Sequence, residues 1–239
     1  MKKFDTVERS KILEKTQQCL FTEEGKPGLD YLIEKRKLSE DLCKEFGLGV
    51  MPSNILHMLR NRIIFPIYDA SDNLICLSSR SIDKTYDDLP VYWHETYEKS
   101  FYLYGLNIAK EHIRNHDYVI VVEGQFDVLQ MHKHGFKNTV GIFSTNIGKI
   151  QLASIYRYTE NIILLLDTDK NNSGKKGIDK AFENLFSLST YHIPQYKDNV
   201  TYIQFDENLD PDEFLMKYGR NPLEKIINKK ILELKGNND

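Results

Sequence analysis

Six carboxylates in the second half of this 239-residue chain are spaced in a way that could do chemistry. Glu123 closes the apolar run Val119 to Val122, with Gly124 next and Asp127 one helical turn on. Asp167 closes a second apolar run, residues 162–166, and Asp169 follows two positions later. Asp210 and Asp212 share the turn Asp-Pro-Asp-Glu after a third run, residues 200–205. Carboxylates gathered at one place repel each other and raise each other's pKa values. A divalent cation resolves the repulsion, and hard oxygen donors suit Mg2+ or Mn2+, which take further ligands from water and substrate phosphates. Such ions orient a nucleophile and stabilise a leaving oxygen in phosphoryl transfer. Each acid also has a plainer reading. An Asp after a strand is often a helix N-cap. Asp127 also fits the first turn of a helix, favoured by its dipole. Asp-Pro-Asp-Glu also fits a turn with its own capping.

The elements that must position these acids read as an alternation. From Asp117 onward, short apolar runs (YVIVVE, NTVGIF, NIILLLD, VTYIQF) alternate with amphipathic stretches (QFDVLQMHKHG, IGKIQLASIYRY, KKGIDKAFENLFSL, and a last helix over 222–235). That pattern predicts a parallel sheet covered by helices, with sites at the carboxyl ends of its strands. Gly124 suits a sharp strand-to-helix turn. The first half differs. Residues 4–20 and 27–46 are expected to be helical, with Pro27 near a start, Ser39 as an N-cap and Phe46–Gly49 as a stop. Residues 62–82 read as an antiparallel hairpin around Ala-Ser-Asp-Asn, and residues 83–100 as a long loop.

Composition narrows the class. Hydrophobic residues make up 41% and charged residues 28%, within the usual globular range, and no apolar run reaches the ~20 residues that span a bilayer. The N-terminus has lysines but no apolar core behind them, so no secretory signal is expected and the cytoplasm is the expected location. Cys19, Cys43 and Cys76 form no CxxC pair and read as buried free thiols rather than a zinc site. The net charge of −3 supplies no global attraction for nucleic acid, so any such binding must come from a local patch. His94, His132 and His134 have no metal-ligand spacing.

Taken jointly, E-G-x-x-D, then D-x-D, then D-P-D resembles the Toprim domain of primases, topoisomerases and some nucleases. The stretches KLSEDLCKEFGLGVMP, RIIFPIYDASDNLICLSSR and FYLYGLNIAKEHI make the resemblance, over residues 29–218, that of a DnaG-type primase core. The resemblance implies an α/β fold: a Toprim-type parallel sheet flanked by helices, preceded by a smaller α+β subdomain. The expected boundaries are 1–110 for that subdomain, 111–220 for the Toprim domain and 221–239 for a C-terminal helix and tail. It implies synthesis of short RNA primers from NTPs on a single-stranded DNA template. Glu123, Asp167 and Asp169 would be catalytic and would hold two or more ions with Asp210 and Asp212, and Asp127 would stand behind them. Arg80 and Lys99 would hold template or triphosphate, with Arg60, Arg62, Lys170, Lys175 and Lys176 as weaker candidates. The aromatic stretch 92–104, which includes Trp93, would offer stacking faces or pack internally.

The chain departs from that family where nucleic acid is expected to lie. The GGR element reads Ser78-Ser79-Arg80, Val91 replaces a lysine, Glu45 replaces a basic residue, Ser144 stands for the glycine of the LGT element, and Asn171 to Ser173 form an insertion. No zinc-binding or helicase-binding segment is expected within these residues, so a replicative helicase and a separate zinc-binding protein are the expected partners, in a phage or other mobile element. A Toprim nuclease and a non-catalytic replication accessory are the alternatives. No membrane partner is expected.

Overall fold

The computed structural model describes residues 4–52, 59, 61–82, 90–166, 183, 199–205 and 209–236. The chain divides into two compact units, Met1–Glu98 and Lys99–Asp239.

In the first unit, helix α1 (Thr6–Leu20) starts at the N-cap Asp5, whose carboxylate accepts from the Glu8 N–H at 2.8 Å. The expected helical stretch over 27–46 is present in two pieces, the second starting where an N-cap at Ser39 implies. Helix α2 (Lys26–Asp30) runs into a π-helical turn at Tyr31–Lys35, and Lys37 then takes a positive φ of 57°. Helix α3 (Glu40–Glu45) restarts at Ser39, whose hydroxyl accepts from the Leu42 N–H at 3.2 Å. The left-handed turn between them ends the first stretch because an L-residue there cannot continue a right-handed helix. The expected stop holds: Gly47 has φ 62° and its N–H donates to the Lys44 carbonyl.

The antiparallel sheet runs β1 (Gly49–Val50), β2 (Arg62–Tyr68), β3 (Leu74–Ser81), β4 (Tyr92–His94), in that order. The hairpin is as expected. Its turn is built by Asp69, which accepts from the Ser71 and Asn73 N–H groups at 2.8 and 3.0 Å. Pro66 is tolerated within β2 because Leu77, opposite it in β3, spends its N–H and carbonyl on Glu95, and β1 pairs only with Ile63 and Ile64. The stretch 83–100 is not wholly loop. β4 pairs with β3, Ser79 opposite Trp93, and adds an edge strand that aromatic crowding had hidden. Helix α1 packs on β1, β2 and β3. Gly49 lies so close to Thr16 that an added Cβ would meet its backbone carbonyl carbon and hydroxyl at 2.6 Å.

One buried ion pair staples this unit. Glu95 is 1% exposed and accepts four hydrogen bonds: from Arg9 Nε (2.9 Å), Arg9 Nη2 (3.2 Å), the Phe4 N–H (3.0 Å) and the Leu77 N–H (2.7 Å). The three cysteines are buried and free, and burial pushes the Cys43 thiol up to about 12, which makes it inert.

In the second unit, a 3-10 turn (Lys99–Phe101) precedes helix α4 (Leu106–His116), β5 (Val119–Val122), α5 (Gln125–Lys133), β6 (Thr139–Gly141), α6 (Lys149–Ile155), β7 (Ile162–Leu164), β8 (Val200–Tyr202), α7 (Pro211–Tyr218) and α8 (Arg220–Gly236). The four strands are parallel in the order β6-β5-β7-β8. The sheet residues of β5, β6 and β7 are fully buried, as a sheet covered on both faces requires. The expected fold class is the observed one. The expected turn after β8 is instead the start of a helix.

His132 is 2% exposed inside α5, with Nε2 bonded to the Thr139 carbonyl at 3.0 Å. Burial, with smaller contributions from His112 and Lys137, lowers its pKa from 6.5 to about 4. The folded protein therefore binds the proton less readily than the unfolded chain. Stability is complete above pH ~6.5 and falls as pH drops toward 4, by roughly 3 kcal/mol for this residue. Urea midpoints measured at pH 7.5 and pH 5 should differ, and His132→Leu should flatten the difference.

Candidate active site at the carboxyl edge of the parallel sheet

The strand order reverses at β5. The connection after β5 runs to β6 on one side, and the connection after β7 runs to β8 on the other. The crevice between the carboxyl ends of β5 and β7 is where ligands bind in open α/β sheets. Glu123 follows directly on β5 and is half-buried. Its backbone carbonyl accepts from the Phe143 N–H at 2.9 Å, which ties it to the segment leaving β6. β7 leads to Leu165 and Leu166, both buried. Asp167 and Asp169 come next in the chain and lie outside the described residues, as do Arg60, Lys170, Lys175 and Lys176.

Behind Glu123, Asp127 is 7% exposed and holds two elements together. Its Oδ2 accepts from the Gly124 N–H at 2.9 Å, the half of a capping box that a glycine N-cap allows, and closes the first turn of α5. Its Oδ1 accepts from the Asp212 N–H at 3.3 Å, 85 residues away. The plain first-turn reading of Asp127 is thus real, and the same carboxylate also fastens the N-terminus of α7 beside the β5–α5 turn. A Cβ on Gly124 would come within 2.7 Å of Asp127 Oδ2, so a side chain there would displace that carboxylate.

Asp210 is the N-cap of α7, accepting from the Glu213 N–H at 2.6 Å, with Pro211 in the first turn. Asp212 is buried at 1% exposure in the same turn. The helix is seated by Phe214, which stacks on Phe205 with ring centroids 4.1 Å apart, and by its packing on α5. Two of the three acidic groups therefore converge through Asp127.

These acids are donors of the kind a hard divalent cation takes. Among the described residues, however, no three His, Cys, Asp or Glu side chains converge closely enough to hold one. The described acids fit such an ion in chemical type and in their strand-end and helix-start placement, as part of a site and not the whole of it.

Backbone strain sits next to Glu123. Phe143 has φ 60°, in the left-handed region, while its ring meets Tyr104 edge-on at 6.1 Å. This conformation costs about 1–2 kcal/mol for an L-residue. Ser144, which stands for the glycine of the family element, does not take a positive φ; the left-handed position is its neighbour Phe143.

The basic candidates separate by environment. Lys99 is exposed in the 3-10 turn that opens the second unit. Arg80, half-buried in the first unit, lies between the rings of Tyr31 and Tyr92, with its guanidinium carbon 6.0 and 5.4 Å from their centroids, and bonds to the Tyr31 hydroxyl. Arg62 is 3% exposed; its guanidinium donates to Ser79 Oγ at 3.0 Å and to the Pro90 and Val91 carbonyls at 2.8 Å. Burial lowers its pKa, and its placement makes it a tie within the sheet rather than a surface contact for phosphate.

Comparison with known proteins bears on this arrangement. Residues 51–110 match the DNA primase catalytic core N-terminal domain, and residues 117–193 match the Toprim domain. The chain carries the two catalytic-core domains of the DnaG-type DNA primases. The DNA primase of Borreliella burgdorferi is 28% identical over 241 residues, covering 87% of this chain and 44% of that protein. That of Helicobacter pylori is 31% identical over 207 residues, covering 85% and 35%. The chain thus spans less than half the length of these curated relatives. Among solved structures, a Pseudomonas aeruginosa DNA primase domain superposes with a TM-score of 0.79 at 23% identity, covering 93% of this chain and 78% of that one. The zinc-binding and RNA polymerase domains of the Aquifex aeolicus primase superpose at 0.77 and 23%, covering 95% and 62%. At such identities the likeness is one of fold. A DnaG catalytic domain bound to single-stranded DNA superposes at 0.77 and 23% identity, covering 92% and 77%.

Sequence reasoning missed two features of this site. One is the bond between Asp127 and Asp212, which no local pattern encodes. The other is Gln151, fully buried at 0% exposure. Its signal was present as Gly148-x-x-Gln151, a capping-box spacing.

Proposed function

We propose that this chain is the catalytic core of a primase of a phage or other mobile element, joining ribonucleotides into short primers on single-stranded DNA. The observation that carries the reading is the convergence of Glu123 with the N-terminus of α7 through Asp127, at the carboxyl edge of the sheet. Glu123, Asp167 and Asp169, flanked by Asp210 and Asp212, would hold Mg2+ or Mn2+. Such ions, when bound, would activate the attacking hydroxyl and neutralise the leaving pyrophosphate. Asp127 positions these acids and leaves the ions to them, because both its oxygens accept backbone N–H groups. Lys99 and Arg80 would bind phosphates of template or NTP, with Arg60, Lys170, Lys175 and Lys176 as further candidates. Arg62 is not part of this set. A replicative helicase and a separate zinc-binding protein would be partners, in the cytoplasm of the host cell. Among the described residues, no helix is long and apolar enough to cross a membrane.

The test mixes the purified protein with Mg2+ or Mn2+, four NTPs (one labelled) and single-stranded DNA, with Asp167→Asn as the control. Short labelled RNA from the unsubstituted protein only is the expected result. Shortened DNA in place of new RNA would make the chain a nuclease. Neither product, even with the helicase and zinc-domain protein of the same genome added, would make it an accessory.

A further inference from the structure

Gln151 makes more contacts than a helix cap needs. Its Oε1 accepts from the Gly148 N–H at 2.8 Å, which caps α6. Its Nε2 lies 3.2 Å from the Lys99 carbonyl, 2.7 Å from the Tyr102 carbonyl and 3.2 Å from the Ile142 carbonyl. The amide thus joins three segments: the 3-10 turn, the segment leaving β6 and the start of α6. Ile142 and Phe143 in turn donate to the carbonyls of Val122 and Glu123 at 3.0 and 2.9 Å. A continuous set of hydrogen bonds therefore runs from the strand end that carries Glu123, through one buried side chain, to the backbone of Lys99.

What this set holds in place faces solvent. Lys99 and Lys149 are exposed, and so are Phe101 at 45% and Ile150 at 44%. Each of the two segments that Gln151 joins, the 3-10 turn and the start of α6, thus presents an exposed lysine and an exposed apolar side chain. The turn does not depend on Gln151 for its attachment. Tyr104 is paired with Gly141 through two backbone bonds of 2.8 and 3.0 Å and anchors the downstream end independently. Removing Gln151 therefore frees residues 99–102 without detaching the segment.

We infer that Gln151 is a positioning residue, which fixes the Lys99 turn in register with Glu123 so that Lys99 meets a backbone phosphate of the bound strand. This rests on the nucleic-acid reading above. Lys99 is the group that touches the strand, and Gln151 acts through it.

The test is a double-mutant cycle on affinity for a fluorescent single-stranded DNA oligonucleotide, read by anisotropy at several salt concentrations. Lys99→Ala should weaken binding about tenfold and reduce the slope of log K against log salt by about 1. Gln151→Ala should do nearly the same, and the double variant should lose no more than either single one. Gln151→Glu keeps an acceptor for the Gly148 N–H but places an oxygen against the three carbonyls. It should match Gln151→Ala in salt slope while leaving α6 capped. Amide hydrogen exchange should quicken over residues 99–102 in both Gln151 variants and stay slow in β5, which shows that the unit remains folded. Additive losses, an unchanged salt slope in the Gln151 variants, or unchanged exchange over 99–102 would each overturn the positioning role alone. Failure of the unsubstituted chain to bind the oligonucleotide would overturn the nucleic-acid reading, and this inference with it.

Discussion

Glu123→Gln should abolish primer synthesis, by about 10^3-fold or more, while the second unit stays folded. The substitution keeps the size and hydrogen-bonding shape of the side chain but removes its charge, and a neutral amide is a poor ligand for a hard cation. A loss of that size corresponds to ~4 kcal/mol of transition-state stabilisation, within what a metal-holding group can supply. Asp127→Asn is the informative companion. Its Oδ1 and Oδ2 both accept N–H groups, from Asp212 and Gly124, and an amide retains only one acceptor oxygen. One of the two ties must fail. Because the charge at Glu123 is intact, activity should fall by about tenfold to a hundredfold rather than vanish, with a lower thermal midpoint. Steady-state primer synthesis alongside circular dichroism separates the two outcomes. Full activity in Glu123→Gln would remove the metal-site assignment, and equal losses in both variants would put Asp127 among the ligands.

Glu95→Gln should destabilise the first unit by ~3–5 kcal/mol, the cost of leaving a buried charge without its partner. Glu95 and Arg9 have side-chain exposures of 0% and 7%, so water cannot take over the lost bonds. The amide also presents two donors where Arg9, Phe4 N–H and Leu77 N–H already donate. Replacing both partners by apolar residues, Arg9→Met with Glu95→Leu, should recover part of the loss. It cannot recover all of it, because the Phe4 and Leu77 N–H groups would then be buried without acceptors, at about 1–3 kcal/mol each. The only tryptophan, Trp93, packs partly buried against the cluster of Phe4, Ile12, Leu13 and Leu77, so its fluorescence reports this unit. Urea midpoints from that signal, for the single and double variants, check the prediction. A single variant within 1 kcal/mol of the unsubstituted protein would mean that the Arg9–Glu95 pair contributes little to the stability of this unit.

The parallel sheet, its helices and the strand-end place of Glu123 were legible because burial on both faces demands continuous apolar runs, and a run is a local signal. The cap at Ser39 was legible for the same reason, since a cap and its partner lie within four residues; Gly148-x-x-Gln151 carried a local signal of the same kind that went unread, and Asp-Pro-Asp-Glu was read as a turn. What the linear pattern could not contain were pairings that depend on strand order. Asp127 meets Asp212 across 85 residues only because α5 and α7 pack together beside the sheet. Arg62 and Arg80 flank one hairpin and carry the same charge. Pairing of β2 with β3 buries the first under residues 90–91 and leaves the second half-exposed between two tyrosines. β4 was hidden because three aromatic residues at an edge carry no clear alternation. Glu95, read as part of a loop, became the acceptor for four hydrogen bonds from the N-terminal segment and β3. By itself the sequence determined which residue types stand at the strand ends, and hence the chemistry on offer. Only tertiary packing decided which of those side chains are consumed in holding the fold and which face solvent, because burial is a property of neighbours brought from elsewhere in the chain.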